Sequence, residues 1–503
     1  MAELVPLYII LPLAAAFIIP LAGRVWNVLP KIISVGVLLF LALLSFEIIF
    51  FGNQEATVLY VGGWEPVNGI PIGIHLVLDG MSTIMLLLIN LIAFLSAFYA
   101  IPYIRKYTVE NNFYILLSLM VAGMNGSVLT GDIFNLYVFM EIAAVASYAL
   151  VAFGVEKEEL EASFKYQLLG GMASMFILLG IGLLYWTTGT LNIDDISNQL
   201  VNYSGNKIVL FIQILFVAGF GLKAAIVPFH AWLPDAHSSA PSPISSMLSG
   251  ILIKAIGVYV LLRLLFNMFA VSSEIGTAII VLGLLSMIIG GVLATGQSDY
   301  KRLLAYSSIS QIGYIMTGVG VGLLILANNG DRSIAALSIL GGLYHMVNHA
   351  VFKGLLFMNA GAVEHATGIR DINLLGGLSK SMPVTSTTSL FGSMAISGIP
   401  PLGGFFSKLI IIIAAVKAHF YLVAFIAALM SIVTLAYFLK FQRKIFSSKP
   451  KSDLGDVKEV PFNMKFSMVV LAFISILLGL LIIPEIRDVV LMPAVDVLMG
   501  VKN

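Results

Sequence analysis

Four lysines and one glutamate stand inside long apolar runs of this sequence: Lys223, Lys254, Lys353, Lys408 and Glu141. An ionisable side chain at the centre of a bilayer costs roughly 2.5–3.5 kcal/mol on insertion scales, so five cost about 12–17 kcal/mol. That sum rivals the whole stability of a typical protein. Groups this expensive are expected to avoid lipid, to face a hydrated interior and to partner one another; residues of this kind mark paths for protons or ions. Glu141 lies nine residues after Asp132, near the middle of Leu136-Tyr-Val-Phe-Met-Glu-Ile. Its plainer alternative is a helix-packing carboxylate tied to a Ser or Tyr. Lys254, in Ser249-Gly-Ile-Leu-Ile-Lys, has no acid near it in sequence and needs a partner in space.

Lys223 belongs to Phe220-Gly-Leu-Lys-Ala-Ala-Ile-Val-Pro-Phe-His, where Pro228 deletes a backbone donor and frees a carbonyl one turn back, predicting a break in that helix. Lys408 repeats the arrangement in Gly398-Ile-Pro-Pro-Leu-Gly-Gly-Phe-Phe-Ser-Lys, with Pro400 and Pro401 interrupting an apolar stretch too long for one straight crossing. Paired Pro-interrupted helices point to a transporter built from inverted repeats; the alternative for either lysine is snorkelling to an interface. His345, His349 and Lys353 are spaced by four and stack along one helix face over about 12 Å. Imidazole accepts and donates protons near neutral pH, so the stripe suits a proton wire. A satisfied pair of core histidines is the plainer reading, and a His-x-x-x-His metal pair a weaker one, since no Glu completes a zinc-protease motif.

Positioning these groups takes many crossings. Of 503 residues, 59% are apolar and only 11% charged, against about 25% charged in soluble domains, which excludes an ordinary cytosolic protein. The fold class is an all-α polytopic membrane protein, with spans expected near 4–22, 31–51, 80–101, 113–130, 133–154, 164–186, 208–227, 241–265, 275–296, 303–327, 333–361, 384–419, 421–440 and 466–484. The first run has no basic leader and reads as a retained helix. In alternate loops, 17 of the 27 Lys and Arg fall on one side, six on the other and four inside spans. Basic loops stay cytoplasmic, so both termini are expected on the outer face of the cell membrane. The net charge of +1 offers no surface for nucleic acid, and zero cysteines exclude disulfides, iron–sulfur clusters and thiolate zinc. No cofactor or metal is expected, and if electrons move in the system another chain carries them. Asn53 to Asp79 reads as an outer β-hairpin with strands over 58–61 and 72–76, Thr190 to Tyr203 as an interfacial helix, and Ser447 to Pro461 as the connection between the last two spans.

Several long motifs occur in a fixed order: Asp132 to Glu141, Lys165-Tyr166, Lys223 through Pro-Phe-His-Ala-Trp-Leu-Pro-Asp-Ala-His-Ser-Ser-Ala-Pro241, Asp299-Tyr-Lys-Arg-Leu-Leu-Ala-Tyr-Ser-Ser-Ile-Ser-Gln-Ile-Gly, Asn348-His-Ala-Val-Phe-Lys and Gly398-Ile-Pro-Pro-Leu-Gly-Gly-Phe. With them almost the whole chain resembles the antiporter-like membrane subunits shared by respiratory complex I, Mrp-type cation/proton antiporters and membrane-bound hydrogenases. The resemblance implies about 14 transmembrane helices with two inverted five-helix repeats and two Pro-broken helices. It divides the chain into 1–112 (three helices and the hairpin), the repeats 113–265 and 266–445, and a linker with the last helix, 446–503. It also implies a proton path without a catalytic centre. On it Glu141 is the coupling glutamate, Lys223 the lysine of the first broken helix and Lys254 the central lysine. His345, His349 and Lys353 form the connecting polar axis, and Lys408 is the exit-side group. Asp132, His230 and His237 are candidates for the mouth or gate.

The stretch around Glu141 is similar to the D-type Mrp subunit and its hydrogenase counterpart, while Pro234-Asp-Ala-His-Ser-Ser-Ala-Pro resembles the complex I and hydrogenase versions. The expectation is therefore a D-type subunit of a redox-driven ion pump. Its partners would be other antiporter-like and small membrane subunits, a peripheral redox module and membrane lipids. The alternative is the D-type subunit of an Mrp Na⁺/H⁺ antiporter without redox chemistry. A quinone-binding subunit lacks a vestibule sequence, and a structural anchor leaves five intramembrane charges unexplained.

Overall fold

Short polar side chains stand at the foot of several apolar runs, where they accept hydrogen bonds from the first free backbone N–H groups of a helix. In the computed structural model, which describes residues 2–52, 56–67, 73–107, 109–203, 205–449 and 456–500, Asp79 caps α3 (Gly80–Tyr103) and Asp132 caps α5 (Ile133–Val151). Before them run α1 (Leu7–Val25) and α2 (Leu29–Phe51), with α4 (Glu110–Leu129) between. The chain continues through α6 (Lys157–Thr188), the short α7 (Ile193–Leu200), α8 (Lys207–Lys223) and α9 (Trp232–Ser239). Then follow α10 (Ser242–Met268), α11 (Ser273–Gly296), α12 (Tyr300–Ala327) and α13 (Arg332–Thr367). The sequence closes with α14 (Pro383–Ser397), α15 (Gly403–Lys417), α16 (Tyr421–Ser447), α17 (Phe462–Ile482), α18 (Pro484–Val490) and α19 (Met492–Leu498).

Among the described residues twelve helices are long and apolar enough to cross a membrane. Two more apolar segments are interrupted where proline predicted it. The first is α8 and α9, separated by a turn in which Ala225 has φ 55° and Pro228 sits. Its freed backbone groups find partners elsewhere: Trp232 Nε1 donates to the Leu222 carbonyl at 2.9 Å, and the Val227 N–H donates to Ser286 Oγ at 2.9 Å. The second is α14 and α15, separated by Gly398 with φ 78° and by Pro400-Pro401. Such irregular backbone is tolerated at membrane depth only inside protein or along a hydrated cavity.

Helix α10 is the hub. In its most apolar 18-residue stretch 94% of the residues are buried, and three segments, Leu248–Leu252, Lys254–Tyr259 and Leu264–Met268, are π-helical. Wide turns of this kind recur at functional sites. By contrast α11, α16 and α17 lie at the periphery and expose apolar side chains, as lipid contact allows.

The hairpin is real but displaced. Its strands, β1 (Thr57–Tyr60) and β2 (His75–Leu78), pair antiparallel from Thr57 opposite Leu78 to Tyr60 opposite His75, whereas the alternating pattern placed them at 58–61 and 72–76. Residues 68–72 of the expected turn lie outside the described residues, as do 450–455 of the last linker. Helix α7 is short and amphipathic, with Ile193, Ile196 and Leu200 buried and Asp194 and Asp195 in its first turn. The chain beyond 484 is no plain tail: Leu491, Val495 and Leu498 are buried, and Pro493 packs so closely on Gly80 that a Cβ there would collide with its backbone carbon. Pro484 and Pro493 mark both of these helix starts.

Candidate functional site

Lys223 ends α8 at the first break, and Glu141 projects from α5 against it. The ammonium Nζ donates to Glu141 Oε1 at 3.2 Å, and Ser174 Oγ of α6 donates to the same oxygen at 2.5 Å. The lysine side chain is 1% exposed and the glutamate 28%. Glu141 thus looks inward to Lys223 and also reaches the outer surface, beside the exposed apolar Phe134, Val138 and Val145 of its own helix.

The other three lysines do not pair with acids, which corrects the expectation that the buried charges partner one another. Among the described residues no carboxylate lies within ion-pair distance of them. Each ammonium instead donates to a backbone carbonyl: Lys254 to Ser249 at 2.6 Å, Lys353 to Leu304 at 2.6 Å and Lys408 to Ile396 at 2.8 Å. The local structure explains two of them. Ser249 lies in a π-helical turn of α10, and Ile396 lies at the end of α14, where carbonyls have no intrahelical partner. Lys353 also donates to Ser307 Oγ, and the Lys408 ammonium sits 4.7 Å from the ring centroid of Tyr314.

His345 and His349 of α13 are parallel rings one turn apart, 6.5 Å between centroids. His345 is fully engaged: Nδ1 lies 2.9 Å from Ser407 Oγ of α15 and Nε2 lies 3.1 Å from Gln311 Oε1 of α12. With the Gln311 carbonyl facing it, Nε2 carries the proton and Nδ1 accepts from Ser407; turning the Gln311 amide inverts the tautomer. His349 differs, because among the described residues neither of its buried nitrogens has a partner. Leaving such groups unpaired costs about 1–3 kcal/mol each. Lys254, His349, Lys353, His345 and Lys408 are all buried on the adjoining helices α10, α13 and α15. No cluster of three or more metal-ligating His, Cys, Asp or Glu occurs among the described residues.

The three candidate mouth residues separate. Asp132 caps α5, accepting from the Asn135 N–H at 2.7 Å, and burial pushes its carboxyl above the ordinary value. His230 stands in the first break, and its Nδ1 has no hydrogen-bond partner among the described residues. His237 is buried, its Nδ1 3.0 Å from the Leu233 carbonyl and its ring between Trp232 and Phe357, while Nε2 has no partner among the described residues. Asp235 between them clips α9 in place through Lys165 at 3.0 Å and Arg302 at 2.8 Å.

Sequence reasoning missed the neutral members, Ser174, Gln311, Ser307 and Ser407. Their signal was available: polar residues inside apolar runs, three of them within the Ser-Ser-Ile-Ser-Gln and Gly-Gly-Phe-Phe-Ser-Lys stretches.

Residues 130–434 match the family model described as NADH:quinone oxidoreductase/Mrp antiporter, TM, and residues 64–114 match that described as NADH-Ubiquinone oxidoreductase (complex I), chain 5 N-terminus. The chain is 32% identical over 487 residues to the D-type subunit of the Na(+)/H(+) antiporter of Alkalihalophilus pseudofirmus, covering 95% of this chain and 94% of the relative. It is 35% identical over 386 residues to the N-type subunit of the NADH-quinone oxidoreductase of Desulforudis audaxviator, covering 76% and 74%. Among solved structures, a chain of the Mrp complex from Dietzia sp. DQ12-45-1b superposes with TM-score 0.88 at 25% identity, covering 100% of this chain and 98% of that one. A chain of the membrane-bound sulfane sulfur reductase, an archaeal respiratory membrane complex, superposes with TM-score 0.86 at 31% identity and the same coverage.

Proposed function

This chain belongs to the NADH:quinone oxidoreductase/Mrp antiporter family of membrane subunits, and we propose that it is the proton-translocating, antiporter-like subunit of a multisubunit ion pump driven by a redox module. Protons pass along Glu141, Lys223, Lys254, His349 with Lys353, His345 and Lys408. The observation that carries this reading is the Glu141–Lys223 pair at the first broken helix, followed by buried lysines and histidines that lead to the second. An ammonium in a dry interior is held by an opposite charge and disfavoured by desolvation. When a coupling event draws Glu141 away, Lys223 gives up its proton toward Lys254. Moving one charge against 100 mV costs about 2.3 kcal/mol, within reach of one such rearrangement.

The breaks support a division into repeats 113–265 and 266–445 flanked by 1–112 and 446–503, with both interrupted segments crossing to make fourteen helices. The basic loops lie in the cytoplasm and both termini outside the cell membrane. Exposed apolar residues around Glu141 support a neighbouring membrane subunit seated over that carboxylate, with small membrane subunits, lipids and the peripheral redox module completing the assembly. The redox drive is favoured by the likeness of the whole chain to a chain of the sulfane sulfur reductase complex. A second reading, a D-type subunit of an Mrp Na⁺/H⁺ antiporter, is favoured by the end-to-end match to the Alkalihalophilus protein. Purified complex in sealed vesicles separates them: proton translocation on adding a reductant supports the redox drive, and Na⁺/H⁺ exchange with no reductant supports the second.

A further inference from the structure

At the end of the molecule that carries the basic loops, α2 and α3 leave a groove of about 440 Å³ between them. Its walls are apolar: Val28, Ile32, Val35 and Gly36 follow one another down one face of α2, and Phe98 and Ile101 oppose them from α3. Its rim is charged, with Lys31 on one side and Arg105 on the other. From Val28 to Gly36 the groove runs about 12 Å along the helix, the depth of roughly one leaflet of the hydrocarbon core. Two features keep it open. A Cβ on Gly36 would meet no atom within 4 Å, so the helix surface is notched there. Phe98 is wedged between Phe94 and Phe466, at 6.2 and 5.4 Å between ring centroids, and does not turn into the notch. The charges at the rim are unequal. Lys31 is paired with Glu110 at the start of α4 and keeps 17% of its side chain exposed. Arg105 is exposed and has no ion pair or hydrogen bond among the described residues. The turns over 24–31 and 104–110 hold Arg24, Lys31, Arg105 and Lys106 against a single acid, Glu110. Trp26 in the first of these turns is 65% exposed, and indole rings settle at the headgroup level of a membrane.

We propose that this groove binds an anionic phospholipid, with its phosphate on Arg105 and Lys31 and one acyl chain laid against Ile32, Val35, Gly36 and Phe98. The planar guanidinium presents paired N–H donors that match a phosphate, and the lysine ammonium has N–H groups left beyond the one given to Glu110. A basic pocket between transmembrane helices, with apolar walls below it, is the arrangement that recognises acidic headgroups. A zwitterionic lipid would bring its own cation to an end of the molecule that already gathers four basic residues, so the site selects against it. A helix of another subunit is about 10 Å wide and would bridge the notch without filling it, whereas a single acyl chain enters. The site requires only that α2 and α3 span the membrane. It stands apart from the path through Lys223, Lys254 and Lys408, and its failure leaves that path untouched.

Photo-crosslinking in vesicles tests the site. The assembled complex is placed in phosphatidylcholine vesicles holding a trace of phosphatidylglycerol, or of phosphatidylcholine, whose acyl chain carries a diazirine; after irradiation the labelled peptides are mapped by mass spectrometry. The phosphatidylglycerol probe is expected to label the segments 28–36 and 98–105 of this chain at least about fivefold more than the phosphatidylcholine probe does. Arg105→Gln is expected to reduce that preference by at least half. Gly36→Leu fills the notch from a position with room for a side chain and leaves the rim charges alone, and it is expected to remove the labelling by both probes. Gly182→Leu on α6, where the space is likewise open, should leave the labelling as it is. Either of the first two variants decides the matter should the other fail to assemble. Equal labelling by the two probes in the wild type means a groove filled by bulk lipid and overturns the proposal. So does the absence of label from both segments, which means that a protein subunit covers them. Labelling unchanged in Gly36→Leu, or a preference unchanged in Arg105→Gln, likewise overturns it.

Discussion

At the scale of single residues, the four buried lysines divide by partner. Among the described residues Lys223 alone of the four has a carboxylate, and the other three rest on carbonyl oxygens. A neutral amine still donates to a carbonyl, though more weakly than an ammonium does, so these three sites offer a partner to both protonation states, whereas Lys223 faces an opposite charge. Sequence showed where lysine was costly but not what would compensate it, because a free carbonyl is created by tertiary breaks and π turns and not by any residue type. The same limit hid the two-sided exposure of Glu141. Glu141 and Lys223 act as one unit in this scheme, so their losses should not add. Glu141→Gln and Lys223→Met are each expected to lower proton flux about 100-fold, and the double variant no further than the worse single one; a double variant whose loss is the product of the two would mean independent roles.

At the scale of elements, the two interrupted helices were legible from Pro228, Pro400 and Pro401, and each was marked by a lysine within eight residues. What sequence could not give was how tightly each break is clamped. A Cβ on Gly404 would collide with the Ala395 carbonyl oxygen, and one on Gly257 would lie 2.7 Å from the Ala224 nitrogen. Both contacts are to backbone, which cannot swing aside as a side chain can. Gly404→Ala therefore forces α14 and α15 apart, at about 1–3 kcal/mol by the usual cost of overpacking. A lowered melting temperature of the purified complex, with Lys408 displaced from the Ile396 carbonyl, is the expected result. Gly182→Ala, where nothing lies within 4 Å, should melt as the wild type does. The displaced strands and the paired helices after 484 were less legible, since a short apolar run sets no register and two prolines alone do not show what a helix packs on.

At the scale of the whole molecule, hydropathy anticipated a many-helix membrane chain, and the alternation of basic loops groups residues that the structure also brings together. A cavity near Glu364 gathers residues from five loops or helix ends assigned to the basic side, and another gathers Asp79, Asp194 and Arg263 from the opposite set. On that opposite face Arg263 and Asp79 form a buried ion pair at 2.5 Å. Between the two faces, α10 carries Lys254 beside the first broken helix α8 and the histidine-bearing α13, and its side chain is fully buried. On the proposed path, proton conduction stands or falls on that amine. The decisive measurement is proton flux by the assembled complex in sealed vesicles with Lys254→Met, a change that keeps the apolar stem and removes the titrating group. A fall of at least about tenfold, with all subunits still co-purifying, is the predicted result; flux equal to wild type in an intact complex would contradict it.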